Sequence, residues 1–485
     1  VAEFAFPFVA LAVCAPLLGA WVVGLVDSDS RRKTAAMLAS ALSALSCLEM
    51  LREVAAAGYA ALAEPLPGDL FYVDALSAAP LALFSMMVFA VIAAASNLYS
   101  KAPILRVILL IQAGTLAVYA AATPAMFALA WIACSVIPLL DRRAEAPAAG
   151  GRASALALGA SCVFLLAGLG VLCSSAQGAA GWVAPWSSFL HATANNGGTV
   201  AFALLMLAVY FRKGLFPFHG WVTSAHERGH LTTSALMMNG HLAAFLVLRV
   251  VMPLFPTISS EALVLITDAA LLTALYAAVL ALSERSPRRI FSLLLVSQSS
   301  FVLAGLETGT AEGVSGALVY WMVVTIAATA LAIVLQGVEQ RLQHANSDGP
   351  FLGLAGPFPR LATFFVVCGV ALVGMPGTLG FIADELLLHG AMESHPRLGL
   401  VMPIAAALNA FHLYRLFSRL FLGSHGPKLS GVPDARLGER LALTGALALL
   451  VVGGLLPAKA VGLRSAAADA VVNRLTLQSS HSPGD

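Results

Sequence analysis

Charge is what this sequence has least of: 11% of its 485 residues are Asp, Glu, Lys or Arg, while 59% are hydrophobic. A soluble domain carries about a quarter of its residues charged, so an ordinary water-soluble fold is excluded. Cysteine is also sparse. The six cysteines, Cys14, Cys47, Cys134, Cys162, Cys173 and Cys368, form no CxxC pair and no Cys/His ligand spacing. That pattern argues against a disulfide framework, a structural zinc or an iron-sulfur centre, so no cofactor is expected in this chain and any redox group would belong to a partner. The net charge of +2 is spread over short loops and makes no basic patch, which excludes nucleic acid as a partner. No nucleophile set, metal set or phosphate loop supports a stand-alone enzyme, although a place as one subunit of a translocase complex stays open.

What the chain has instead is long apolar runs, with a mean hydropathy of +0.88. Many runs are long enough to cross a bilayer core of roughly 30 Å as helices, and their Ala, Leu and Gly richness contradicts the alternation of a membrane β-barrel. The sequence therefore predicts an all-α polytopic membrane protein, one integral domain over residues 1–485. About fourteen spans begin near Phe4, Thr34, Ala75, Ile104, Pro124, Ser154, Thr199, Leu231, Leu263, Ile290, Gly313, Leu361, Leu400 and Leu441. The first run, Phe4 to Val26, lacks a basic leader and reads as a retained span. Residues 464–485 read as a polar tail at the outer surface.

Alternate loops carry the positive charge: Arg31, Arg32 and Lys33; Lys101 and Arg106; Arg142, Arg143 and Arg152; Arg228; Arg285, Arg288 and Arg289; Arg341; Lys428, Arg436 and Arg440. The positive-inside rule makes these cytoplasmic and puts both termini on the outer side of a bacterial inner membrane. Arg397 falls in a loop of the wrong side.

An ionisable group at the bilayer centre costs at least about 2.5 kcal/mol on insertion scales, so each one inside a span is a functional candidate. In AVYFRKGLFPFHGWV, Lys213 precedes Gly214, Pro217 and His219, residues that break a helix beside a titratable amine. A Lys there can lose its proton when desolvated and regain it when hydrated, as a relay requires; the alternative is a Lys that snorkels to an interface. His241 lies in the apolar run SALMMNGHLAAFLVLRV, with Arg249 two turns later. Asp384 and Glu385 follow the Gly/Pro-interrupted stretch VGMPGTLGFIA. Adjacent residues on a helix diverge, so one of the two, Asp384, is expected on a hydrophilic axis, unless both cap a helix start. Asp268, His412 and Arg415 are expected as structural partners. His226 and His230 are read as loop residues, and Asp74 as a helix cap.

These stretches resemble the antiporter-like membrane subunits of respiratory complex I, membrane-bound hydrogenases and multisubunit cation/proton antiporters. The resemblance covers about residues 70 to 425 and rests on FYVDALSA, RKGLFPFHGWV with TSALMMNGH, SPRRIFSLLLVSQSSFVLAGL and GMPGTLGFIADELL. It implies two inverted five-helix repeats, residues 104–253 and 263–422, with helices seven and twelve broken. It also implies a proton path through Lys213, His241 and Asp384; His219 and Glu385, close to them in sequence, are further candidates for that path from the residue pattern. The chain departs from that pattern at three places. Ile132 follows Trp131 where a Glu is usual; YWMVVTIAATALAIV carries no charge where His and Lys are frequent; Met238 replaces a His. These departures tilt the reading to a divergent branch similar to DabB-like subunits, which pair with a zinc-containing DabA-like partner in inorganic-carbon uptake. A subunit of a complex I or hydrogenase type machine, with redox partners, is the alternative. A membrane scaffold that has lost conduction is a third.

Overall fold

The computed structural model describes residues 2–65, 70–96, 100–141, 149–176, 178–189, 197–342, 352–423 and 432–479. Arg142, Arg143, Lys428 and residues 480–485 of the expected tail lie outside them.

Apolar runs without a β-alternation become helices because a bilayer offers no partner for an open backbone amide. The first group is α1 (Phe8–Leu25), α2 (Asp29–Ala56), α3 (Ala75–Ala94), α4 (Ala102–Ala120), α5 (Pro124–Asp141) and α6 (Ala149–Ala176). Then come α7 (Gly197–Lys213), α8 (Gly220–Arg228), α9 (Leu231–Asn239), α10 (Leu242–Leu246), α11 (Met252–Leu254), α12 (Pro256–Leu280) and α13 (Pro287–Ala304). The last are α14 (Ala311–Leu342), α15 (Pro359–Leu372), α16 (Leu379–Ser394), α17 (Pro396–Phe421), α18 (Leu437–Leu455) and α19 (Pro457–Ser479). Among the described residues, eleven spans are long and apolar enough to cross a membrane, with α9 to α11 taken as one span, Leu231–Leu254. The other three of the fourteen expected spans, the fifth, seventh and twelfth, are short or broken: α5, α7 with α8, and α15 with α16.

The basic loops gather on one face. The Lys33 ammonium at the start of α2 donates to the Ala93 and Ala95 carbonyls at the end of α3, at 2.9 and 2.7 Å. Arg341 at the end of α14 pairs with Glu439 at the start of α18 at 2.7 Å, both fully buried. Arg288 at the start of α13 pairs with Glu339 at 2.6 Å. On the other face, Arg397, the residue out of place in the charge pattern, pairs with Asp268 at 2.5 Å, which cancels its charge locally.

Three features depart from the sequence reading. A small sheet of Ala2–Glu3, Leu62–Ala63 and Tyr72–Val73 forms, the second strand parallel to the first and antiparallel to the third. Residues 220–228, containing His226, form helix α8, and His226 is fully buried with Nδ1 2.9 Å from the Val222 carbonyl oxygen. Residues 464–479 of the supposed polar tail belong to α19. Its Arg464, Ala467, Ala468 and Val471 are buried, and Arg464 donates to the Leu76 carbonyl at 3.3 Å. Asp469 and Asn473 are exposed on the side away from these buried residues, so a composition that reads as a tail folds as a helix once a bundle exists to cover its Ala-rich side.

Candidate proton path

Helix α7 ends where the sequence says it must. Gly214 adopts φ +70°, and the amides of Gly214 and Leu215 both donate to the Tyr210 carbonyl, at 3.1 and 3.2 Å, closing the helix with a left-handed cap. A Cβ on Gly214 would lie 2.9 Å from Val222 and 3.0 Å from the Trp221 indole nitrogen, so glycine is required for space as well as conformation. The freed Phe211 carbonyl accepts the Trp221 indole N–H at 3.1 Å.

Lys213, the last residue of α7, is therefore carried into the bundle and is 7% exposed. It does not snorkel. Its ammonium donates to the Ser299 carbonyl in α13 at 2.7 Å, and no carboxylate among the described residues pairs with it. Ser299 belongs to Ser297–Gln298–Ser299–Ser300, four consecutive fully buried polar residues. Asn409 of α17 donates to Ser297 at 2.8 Å.

Arg212 takes the opposite direction. Its guanidinium donates to Ser135 Oγ at 2.6 Å and stacks over Trp131, with 5.2 Å from Cζ to the ring centre. The side chain that follows Trp131 is Ile132, so this buried charge is held by a hydroxyl and an aromatic face instead of a carboxylate.

His241 sits in a second break that the sequence reading did not anticipate. Helix α9 stops at Asn239, Gly240 follows, and His241 adopts φ +42° before α10 resumes. A left-handed non-glycine residue is uncommon and costs of order 1–3 kcal/mol, so it persists only where its surroundings hold it. Here Thr325 donates to the Asn239 carbonyl at 3.2 Å, Tyr119 donates to the Gly240 carbonyl, and Asn239 donates to Thr329 at 2.9 Å. The imidazole is buried against Trp321, with ring centres 5.4 Å apart. Both of its nitrogens lack a hydrogen-bond partner among the described residues, and it lies within electrostatic reach of Lys213.

The twelfth expected span breaks between α15 and α16, at Gly374 (φ +74°) and Gly377 (φ +86°). Thr378 is the N-cap of α16, so Asp384 and Glu385 lie within the helix and do not cap its start. A Cβ on Gly374 would lie 1.8 Å from Asp384 Oδ2: the carboxylate rests directly on the broken turn. Asp384 is half-buried with Oδ1 enclosed and without a partner among the described residues, and Glu385 is exposed. A cavity of about 530 Å³ opens beside them, lined also by Phe381, His389, Met402 and Pro403.

The remaining candidates are placed apart from this axis. Arg249 lies in a π-helical turn, Val247–Val251, and grips Asp74 with two bonds of 2.7 and 2.8 Å while also donating to Tyr72 at 2.5 Å. Asp74 at the same time caps α3, accepting from the Leu76 and Ser77 amides at 3.1 Å. Burial would push the Asp74 carboxyl up, but the Arg249 guanidinium and the Ser77 bonds hold it well below the usual range. His412 is bound to the Ala278 carbonyl at 2.7 Å, and Arg415 caps the end of α12 through the Ala281 and Leu282 carbonyls at 3.0 and 3.2 Å. His219 is half-buried at the start of α8, its ring against Phe216 and Tyr276.

A helical bundle with two glycine-broken helices, each bearing an ionisable side chain at the break, defines the antiporter-like class of membrane subunit. Residues 126–409, more than half of the chain, match the family described as "NADH:quinone oxidoreductase/Mrp antiporter, TM", and the chain belongs to that family. Among curated relatives, the NADH-quinone oxidoreductase subunit M of Rickettsia prowazekii (strain Madrid E) is 25% identical over 257 residues, 52% of this chain and 52% of that one. The subunit N 2 of Aquifex aeolicus (strain VF5) is 28% identical over 261 residues, 53% of each. The matched region thus spans about half the length of these relatives. Similar solved structures include a chain of respiratory complex I from Thermus thermophilus with bound NADH, with a TM-score of 0.83 at 23% identity, covering 96% of this chain and 99% of that one. A chain of the Mrp complex from Dietzia sp. DQ12-45-1b has a TM-score of 0.83 at 19% identity, with 97% and 99% covered. These likenesses are likenesses of fold.

Proposed function

We propose that this chain is a proton-conducting, antiporter-like subunit of a multisubunit membrane complex, coupling ion flux to chemistry in a partner. The observation that carries this reading is Lys213: an amine buried at the end of a broken helix, bonded to a single backbone carbonyl and free of any carboxylate among the described residues. Such a group has little to hold its proton when dry and regains it as soon as water reaches it, which is the property of a relay. In this reading the proton passes between His241 and Lys213 and leaves beside Asp384, where the 530 Å³ cavity meets the broken turn. The recurrence of the break, α7 with α8 and α15 with α16, supports two repeats over residues 104–253 and 263–422. The basic face is the cytoplasmic one by the positive-inside rule, which puts both termini outside.

The test is reconstitution of the complex in proteoliposomes with a trapped pH dye. Replacing Lys213 by Ala should leave assembly intact and abolish coupled proton uptake. Uptake at the original rate in an assembled complex would overturn the reading in favour of a non-conducting scaffold.

The partner is a finer matter. The site around Trp131, where Ser135 and an aromatic face take the place of a carboxylate beside Arg212, favours a DabB-like branch with a zinc-containing DabA-like partner. Co-purification decides it: a zinc protein supports that branch, and iron-sulfur or quinone-site subunits support a redox machine of complex I type.

A further inference from the structure

If Lys213 and Asp384 are the two ends of a conducting axis, the structure must say what lies between them. The run YWMVVTIAATALAIV in α14 contains no charged residue, yet its first member is a fully enclosed tyrosine. We propose that the Tyr320 hydroxyl, positioned by Gln298, is the proton carrier that joins Lys213 to Asp384. This rests on the functional reading given above and names a residue which that reading leaves out.

The packing of α14 against α16 carries the argument. A Cβ on Gly390 would lie 2.3 Å from Gly313 Cα, and a Cβ on Gly316 would lie 2.6 Å from the Leu387 amide nitrogen. The two helices therefore touch backbone to backbone and run antiparallel, since a step forward from 313 to 316 matches a step back from 390 to 387. One further turn takes Gly316 to Tyr320 and Leu387 to the level of Asp384, because residues three or four apart share a helix face. Asp384 accordingly lies within electrostatic reach of the Tyr320 hydroxyl. On its other side, the Tyr320 hydroxyl donates to Gln298 Oε1. Gln298 is the residue before Ser299, whose carbonyl receives the Lys213 ammonium at 2.7 Å. One side chain thus stands between the two functional ends, against α13 through Gln298 and Phe301 and level with Asp384 of α16.

The orphaned polar atoms nearby point the same way. Gln298 Nε2, Asp384 Oδ1 and both nitrogens of His241 are enclosed without partners among the described residues. Buried polar atoms of this kind are satisfied by water, which can bridge Lys213 to the phenol. The transfer balances without an ionised tyrosine. The Lys213 ammonium gives one proton and becomes an amine; the phenol oxygen accepts it as the hydroxyl passes its own proton on; the Asp384 carboxylate becomes an acid. At rest Gln298 holds the hydroxyl turned from Asp384, so each transfer needs one rotation of the O–H bond.

Tyr320→Phe removes the oxygen and keeps the ring. In the proteoliposome assay, with Lys213→Ala alongside, the expected result is full assembly with proton uptake reduced at least tenfold, on the scale of a lost acid-base group. Uptake unchanged in Tyr320→Phe while Lys213→Ala abolishes it would overturn the relay and leave the functional reading standing. Uptake unchanged in both would instead remove the functional reading on which the relay rests. Should the Tyr320→Phe complex not assemble, Gln298→Leu decides: a slowed uptake with a displaced pH profile supports the relay, and an unaltered rate and profile overturn it.

Discussion

Removing Asp74 leaves the Arg249 guanidinium buried with no counter-charge among the described residues. Loss of one partner of a buried pair costs about 3–5 kcal/mol, so Asp74→Asn should lower the thermal midpoint of the purified protein markedly. Replacing both, Asp74→Asn with Arg249→Met, should recover part of the loss, because the stranded charge goes with its partner. Asp74 stays ionised at any physiological pH: its carboxyl is held below the ordinary value, so its contribution is present above that value and is lost only as pH falls through the depressed one. The pair is a fixed lock between α3 and the π-turn, and a thermal midpoint that does not change between pH 6 and pH 8 in the wild type relative to the Asp74→Asn variant would agree. Lys213 was legible as a candidate because Lys, Gly and Pro stand together in sequence. Tyr320 was not, because a tyrosine in an apolar run is ordinary core until the residue facing it is known.

Among elements, the breaks are the features on which the proposed path depends. Gly374→Ala would place a methyl group 1.8 Å from Asp384 Oδ2 at a backbone φ of +74°, so the carboxylate or the turn must move. The expected outcome is a protein that still assembles but loses most of its proton uptake, measured in the same reconstituted complex. Gly214→Ala meets both a positive φ and two close side chains, and should destabilise by more than the roughly 1 kcal/mol by which a compatible Gly→Ala change stabilises; a denaturation curve checks it. The first and last of the three breaks announce themselves through Gly and Pro. The middle one, at His241, has one Gly and no Pro in MMNGHLAAF, and its left-handed residue is sustained by Thr325 and Tyr119 from other helices. No local rule anticipates a strain that distant partners hold in place.

For the whole molecule, α19 is the element whose removal should matter most beyond its apparent composition. Arg464 is buried between helices and reaches the Leu76 carbonyl at the start of α3, 388 residues away in sequence. A chain ending after Leu456 should therefore be unstable in detergent, with aggregation on size exclusion as the measurement; a monodisperse truncated protein would mean that α19 adds nothing. The basic-face lock through Arg341 and Glu439 ties α14 to α18 in the same way on the opposite side.

Membrane character, the order of the spans and two of the three breaks follow from the sequence, because hydropathy, loop charge and the dihedral limits of Gly and Pro act within a few residues. The pairing of Arg249 with Asp74, the burial of α19, the strain at His241 and the facing of Tyr320 and Asp384 were decided by tertiary structure. Each depends on which of many similar apolar helices lie side by side, and in a chain this uniformly apolar, side-chain pattern alone distinguishes poorly among those neighbours. Lys213 belongs to both: the sequence puts it at a helix break, and the fold supplies the Ser299 carbonyl that it meets there.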